Sequence, residues 1–132
     1  MPGHSRALTL LPGSFSIGKL SRAAPGFPPS SLFSCSVTES EARTLICPTN
    51  EVPPLMSRRS NGWRALRIQG PLDLATSGVL VSVLAPLASA EVPVLVASSF
   101  ETDTVFVPGG LLPSALAVLG LAGHTVVHEG PT

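Results

Sequence analysis

The sequence predicts an α+β protein in which a ferredoxin-like βαββαβ unit follows a smaller β-rich unit. Three observations carry that prediction. Proline and glycine divide the first half into short strand-like runs. After residue 62, strand-like alternation gives way twice to helical spacing and returns. Of the 132 residues 44% are apolar, enough for a packed core.

In the first half the turns "LPGS", "APGFPP" and "CPTNEVPP" separate LTLL, FSIGKL, LFSCSV and RTLICP, none of which has a helical period. The reading is a β-rich unit over 7–56. The runs at 32–38 and 44–47 flank the polar loop ESEAR, and folding about Glu41 sets Cys35 opposite Cys47. A disulfide there is geometrically conceivable, but a cytosolic chain normally keeps such thiols free. "MSRRSN" at 56–61 reads as a polar linker, with Arg58 and Arg59 solvated rather than holding phosphate.

From residue 62 the pattern changes. "GWRALRIQG" alternates, with Leu66 and Ile68 on one face and Trp63, Ala65 and Arg67 on the other, a half-buried strand stopped at Gly70-Pro71. In "LDLATSGVLVSVLAPLASA", Val79, Leu80, Val83, Leu84 and Leu87 share one helical face. Asp73 or Thr76 is placed to cap that helix, and Pro86 to bend it, because proline lacks the N–H and crowds the preceding turn. "VPVLVASS" and "DTVFV" follow as strands. The polar knot between them, "SSFETD", reads as a structural turn in which Thr102 and Asp103 bond nearby backbone. "LLPSALAVLGLAGH" is a second helix with Pro113 in its first turn and Gly123 at its end, and "TVVH" is a last short strand. In this order the strand at 92–97 lies at a sheet edge and is apolar on both faces, so the N-terminal unit or a second subunit is expected to cover it.

Eight Lys and Arg balance eight Asp and Glu, leaving no net field to hold nucleic acid or an anionic membrane. All eight basic residues precede Ile68, whereas five of the acids follow it. The first 67 residues therefore carry +5 and the remaining 65 carry −5, which suggests halves that dock on each other or on a second copy. The run ALTLL is too short for a signal core, and Pro86, Glu91 and Pro93 interrupt the apolar stretch 78–97, so the expected location is cytoplasmic with no membrane span. No phosphate-binding glycine loop, nucleophile elbow or metal-ligand cluster occurs. His124 and His128, four apart on a strand, stand roughly 13 Å apart, too far to share an ion. The chain is read as no enzyme, with no metal and no cofactor.

The stretch "GWRALRIQGPLDLATSGVLVSVLAPLASAEVPVLVASSFETDTVFV" resembles an ACT domain, of the kind found in small bacterial tandem-ACT proteins and the CASTOR-type arginine sensors. "GPLDL", "LAPLA", "VPVLVASSFETD" and "LAGH" carry the resemblance over 62–124, and the unit is assigned to 62–130. "LTLLPGSFSIGKL" and "FSCSVTESEARTLICP" are similar to that family's reduced N-terminal repeat. The resemblance implies a regulatory module that binds an amino acid or similar small molecule where two ACT units meet, within one chain or in a homo-oligomer. The elements used are the loop 70–78 and the start of the second strand, 91–95. The candidate ligand-binding residues are therefore Asp73, Thr76, Ser77, Gly78, Glu91, Val92, Pro93 and Val94.

The chemistry is reasonable on its own terms. A helix N-terminus attracts a carboxylate, Thr76 and Ser77 add hydroxyls, Gly78 permits close approach, and Asp73 suits an α-ammonium group. Capping or a turn is the competing role for Asp73, Thr76 and Ser77. Two residues depart from the family pattern. Glu91 stands where glycine would form a left-handed helix cap, and Pro93 removes a backbone donor. They point either to a ligand preference shifted toward a basic ligand or to an assembly module without a small molecule. The uncharged second helix, apolar nearly all round, also favours close packing with another unit.

Overall fold

The computed structural model describes residues 5–24, 32–56, 58–70 and 78–129. The elements are β1 (Ala7–Leu10), β2 (Phe15–Ser21), β3 (Cys35–Thr38), β4 (Ala42–Pro48), β5 (Arg58–Ile68), α1 (Val79–Ser89), β6 (Leu95–Ser98), β7 (Asp103–Pro108), α2 (Leu112–Leu121) and β8 (Thr125–His128). The chain forms two compact units, Gly13–Trp63 and a second made of Arg64–Thr132 together with Met1–Pro12. Ala7–Leu10, expected to open the N-terminal unit, therefore belongs with the C-terminal one.

In the C-terminal unit the strands run β6-β7-β5-β1-β8. This is the expected βαββαβ order with one addition, since β1 lies between the unit's own first and last strands. It pairs antiparallel with β5 (Leu8↔Ile68, Leu10↔Leu66) and parallel with β8 (Leu8↔Val126). The reason is apolar matching: Leu8, Leu10, Leu66 and Ile68 share one face, each fully buried. That face receives Val79, Val83 and Leu87 of α1 and Ala115 and Leu119 of α2, with Val105 and Val107 of β7 completing the core. Both helices thus cover the same side of the sheet, as the ferredoxin-like arrangement requires. Strand β6 pairs with β7 (Leu95↔Phe106) and is shorter than expected, with Val92, Pro93 and Val94 lying ahead of it.

Both helices end in the same way. In α2, Gly123 is left-handed at φ +97°, its N–H reaches the Gly120 carbonyl at 3.0 Å, and the His124 N–H reaches the Leu119 carbonyl at 3.0 Å. In α1, Glu91 takes the left-handed position at φ +59°, with Glu91 N–H on Ala88 O at 2.9 Å and Val92 N–H on Leu87 O at 3.0 Å. Each is a Schellman cap, sealed in α1 by buried Val92 against buried Leu87. A glutamate in this conformation costs about 1–2 kcal/mol that glycine avoids.

The start of α1 differs from expectation. The N-cap is Gly78, left-handed at φ +88°, with no side-chain cap bond, so the capping position falls to neither Asp73 nor Thr76. Residues 71–77, which include Asp73, Thr76 and Ser77, lie outside the described residues.

Pro86 sits inside α1 and cannot donate to the Ser82 carbonyl one turn before it. His124 supplies the missing donor: its Nε2 lies 2.8 Å from Ser82 O, while its Nδ1 accepts the Arg6 N–H at 3.1 Å. The Arg6 bond assigns the proton to Nε2, which therefore donates to the helix. His124 is buried and held at both ring nitrogens, and His128 is exposed. Among the described residues no group of three or more His, Cys, Asp or Glu is placed to hold a metal, and no helix is long and apolar enough to cross a membrane.

In the N-terminal unit the strand order is β3-β4-β2-β5. Strand β5 begins at Arg58, so "RRSN" is strand rather than linker, paired with β2 through Ile17↔Ser60, Gly18↔Arg59 and Lys19↔Arg58. A bulge in β5, where Asn61 and Gly62 stand opposite Ser16 alone, is anchored by a chain of hydroxyls. Ser14 Oγ donates to Thr49 Oγ1 at 3.0 Å, and buried Ser16 bonds Thr49 at 3.0 Å and donates to Asn61 Oδ1 at 2.6 Å. Leu20, Leu45, Cys47 and Met56 form a small core, with the Met56 side chain filling the space above Gly18, where a Cβ would stand 2.6 Å from it. The hairpin register sets Cys35 opposite Ile46 and Cys47 opposite Ser16. The two cysteines are one residue out of step, on opposite faces, and both are free thiols.

Candidate functional site at the end of strand β5

In the C-terminal unit the end of β5, the β6–β7 turn and β1 enclose a cavity of about 470 Å³. Thr9, Arg67, Ile68, Gln69, Gly70, Ser99, Glu101 and Thr102 line it. Strand alternation puts Arg67 and Thr9, directly opposite each other, on the face away from the helices. Gly70 at the rim is the last described residue before the segment that holds Asp73, Thr76 and Ser77.

The turn "SSFETD" is a turn, as expected, and also one wall of this cavity. Ser99 N–H donates to Thr102 O at 2.8 Å, and Ser99 Oγ accepts the N–H groups of Glu101 and Thr102 at 3.3 and 3.2 Å. Thr102 Oγ1 donates to Ile68 O at 2.6 Å, tying the turn to the end of β5. Asp103 bonds the Ser98 hydroxyl rather than backbone. Phe100 stands 77% exposed at the tip. The cavity combines one cation with one anion: Arg67, in a long 3.4 Å contact with Glu129, and the exposed Glu101. Such a pair, flanked by Thr9, Gln69 and Thr102, suits a small zwitterion. Of these lining residues, only Gly70 belongs to the ligand loop that the resemblance implies; the density of hydroxyls in "SSFETD" is the sequence signal for the opposite wall.

The described candidates do not gather within one unit. Gly78 and Glu91 stand at opposite ends of α1, roughly 20 Å apart at 1.5 Å per residue. Val92, Pro93 and Val94 precede β6, whose other end runs into the cavity-lining turn roughly 13 Å away. Gly78 and the start of β6 therefore do not contact one small ligand from a single unit. At the start of β6, the N–H groups of Glu91 and Val92 are consumed by the helix cap and Pro93 has none, leaving Val94 to offer the first backbone donor.

The βαββαβ order with both helices on one sheet face defines a ferredoxin-like α+β domain. Residues 58–120 match the ACT domain family. Comparison with curated proteins finds no match. Among solved structures the chain is similar to a protein of Agobacterium tumefaciens (25% identity, 96% of each chain, TM-score 0.85). It is also similar to a Vibrio cholerae protein of unknown function described as a possible transport protein (16% identity, 91% of each chain, TM-score 0.69). The ligand-free regulatory subunit of aspartate kinase from Thermus thermophilus shares the fold at 13% identity, with 83% of this chain and 93% of that one covered and a TM-score of 0.59.

Proposed function

We propose that the chain is a non-catalytic regulatory module of the cytoplasm that binds an amino acid or a similar zwitterion where ACT units meet. The observation that carries the reading is the placing of Arg67 and Glu101 on the walls of one cavity beside Gly70. Arg67 takes the α-carboxylate and Glu101 or Asp73 the α-ammonium group. Thr76 and Ser77 add hydroxyls, Gly78 permits close approach, and a second unit brings its residues 91–94. Ligand at such a junction favours one packing of the units by no more than its differential affinity for the two arrangements.

A thermal-shift scan against the twenty amino acids, followed by calorimetry on any hit, tests this. Ligand at one hundred times its dissociation constant adds about 2.7 kcal/mol of stability. Arg67→Gln and Asp73→Ala are expected to abolish the hit with the fold retained. Unchanged binding in both removes the proposed site. The second reading, assembly without a small molecule, is favoured by α1 and α2, which hold no charged residue and expose Val81 at 65% and the terminal Leu121 at 89%. Silence across the panel from a well-folded sample selects it.

A further inference from the structure

The N-terminal unit holds a second cavity, of about 530 Å³, with a different character. Lys19 and Arg58 line it with the hydroxyls of Thr44 and Ser60, over Ile17 and the backbone at Gly18 and Arg59, and no carboxylate lines it; Arg59, opposite Gly18, turns its side chain to the other face. The register explains the concentration of charge. Thr44, Lys19 and Arg58 are directly opposite one another across β4, β2 and β5, so their side chains project from one face. Ile17 and Ser60 form the next such pair on that face. Like charges directly opposite each other destabilise a sheet, yet Lys19 and Arg58 hold that relation, and among the described residues no carboxylate lies within ion-pair distance of either or of Arg59. Ser60 Oγ accepts the Trp63 indole N–H at 3.0 Å, which orients the hydroxyl and leaves its proton for a further acceptor. Wherever their heads are solvated singly, two cations gain nothing from this register; a multivalent anion between them turns the repulsion into a shared attraction.

We propose that this surface depression binds a small molecule bearing a diphosphate group, held by Lys19 and Arg58, with Thr44 and Ser60 donating to its oxygens. Two cations directly opposite each other, Lys19 and Arg58, match an anion with two charged centres. The site is independent of the zwitterion cavity, which lies in the other unit and is lined by different residues.

Calorimetric titration of the full chain with inorganic pyrophosphate tests the proposal, with citrate as the carboxylate comparison. Saturable binding is expected, weakened at least tenfold in Lys19→Gln and in Arg58→Gln, and unchanged in Arg67→Gln. The same two variants, without ligand, are expected to unfold at or above the temperature of the parent, because each removes a like-charge contact. A lower unfolding temperature would assign the cations a structural role instead. Absence of saturable binding, or equal binding in both variants, overturns the proposal, and citrate binding as tightly as pyrophosphate overturns the assignment to phosphate. Because Lys19→Gln leaves the zwitterion cavity intact, loss of this site and loss of the amino-acid site are read separately.

Discussion

The bond between His124 Nε2 and the Ser82 carbonyl, to which Pro86 has no N–H to donate, makes a quantitative prediction. His124→Ala removes the donor to Ser82 O, the acceptor for Arg6 N–H, and buried ring volume. Only the first loss depends on what stands at position 86. With proline there, the Ser82 carbonyl loses its ring donor in a half-buried site, at about 1–3 kcal/mol. In Pro86→Ala the restored N–H reaches that carbonyl, so the same histidine substitution costs less by about 1–2 kcal/mol. The loss at Arg6 and the loss of packing are common to both backgrounds and cancel. Urea unfolding of the parent, the two single variants and the double variant measures the difference as a coupling energy. One kcal/mol corresponds to roughly 4 °C in a chain of this size, so thermal melts read it too. Additivity of the two substitutions to within about 0.4 kcal/mol, with unchanged m-values, would refute the account.

The two helix caps predict opposite effects. Glu91→Gly should stabilise by about 1 kcal/mol, and Gly123→Ala should destabilise by at least as much, since a Cβ at φ +97° would also stand 3.0 Å from Ser5 Oγ; chemical denaturation reads both. Burial, reinforced by the Glu51 carboxylate, pushes the Cys47 thiol above its ordinary value of 9.0. The folded chain therefore holds that proton more tightly than the unfolded one. This stability is fully present below pH 9 and is lost as pH rises through the raised folded value, a decline that Cys47→Ala should flatten in a pH series of melts. A fragment spanning 62–130 lacks β1, leaving β5 and β8 without the strand that joins them, and should show no cooperative unfolding transition by circular dichroism.

Much of the fold is legible in the sequence because each element of the C-terminal unit has its own periodicity and its own punctuation. Leu66 and Ile68 alternate, Val79, Val83 and Leu87 recur at helical spacing, and Gly123 ends a helix where glycine belongs. The left-handed position of Glu91 is legible only through the family resemblance, in which glycine stands there. What local pattern cannot carry is the pairing of distant residues. LTLL reads as a strand, but nothing within it says that its partners are 58 and 118 residues away, so it is grouped with its neighbours in sequence. Arg58 and Arg59 read as a linker because polarity marks a solvated face and a loop equally. Of the candidate site, Gly70 is legible as the hinge of the ligand loop, while Arg67 and Glu101 reach one cavity only through the sheet.

The position of β1 also has a kinetic side. Leu8 meets Val126 across 118 intervening steps of chain, and the N-terminal unit is strung along the path between them. Closing such a loop costs about 4 kcal/mol of chain entropy before any of its contacts form, on top of a length-independent constant. Compact local pieces such as the β3–β4 hairpin can form early, but the central pairing of the other unit cannot be completed until β8 exists. Until then β1, once paired with β5, presents an unpaired edge beside an apolar face, the kind of surface on which nascent chains associate. The strand that joins the two ends of the sheet is thus also the step at which synthesis, folding and aggregation compete for the same backbone.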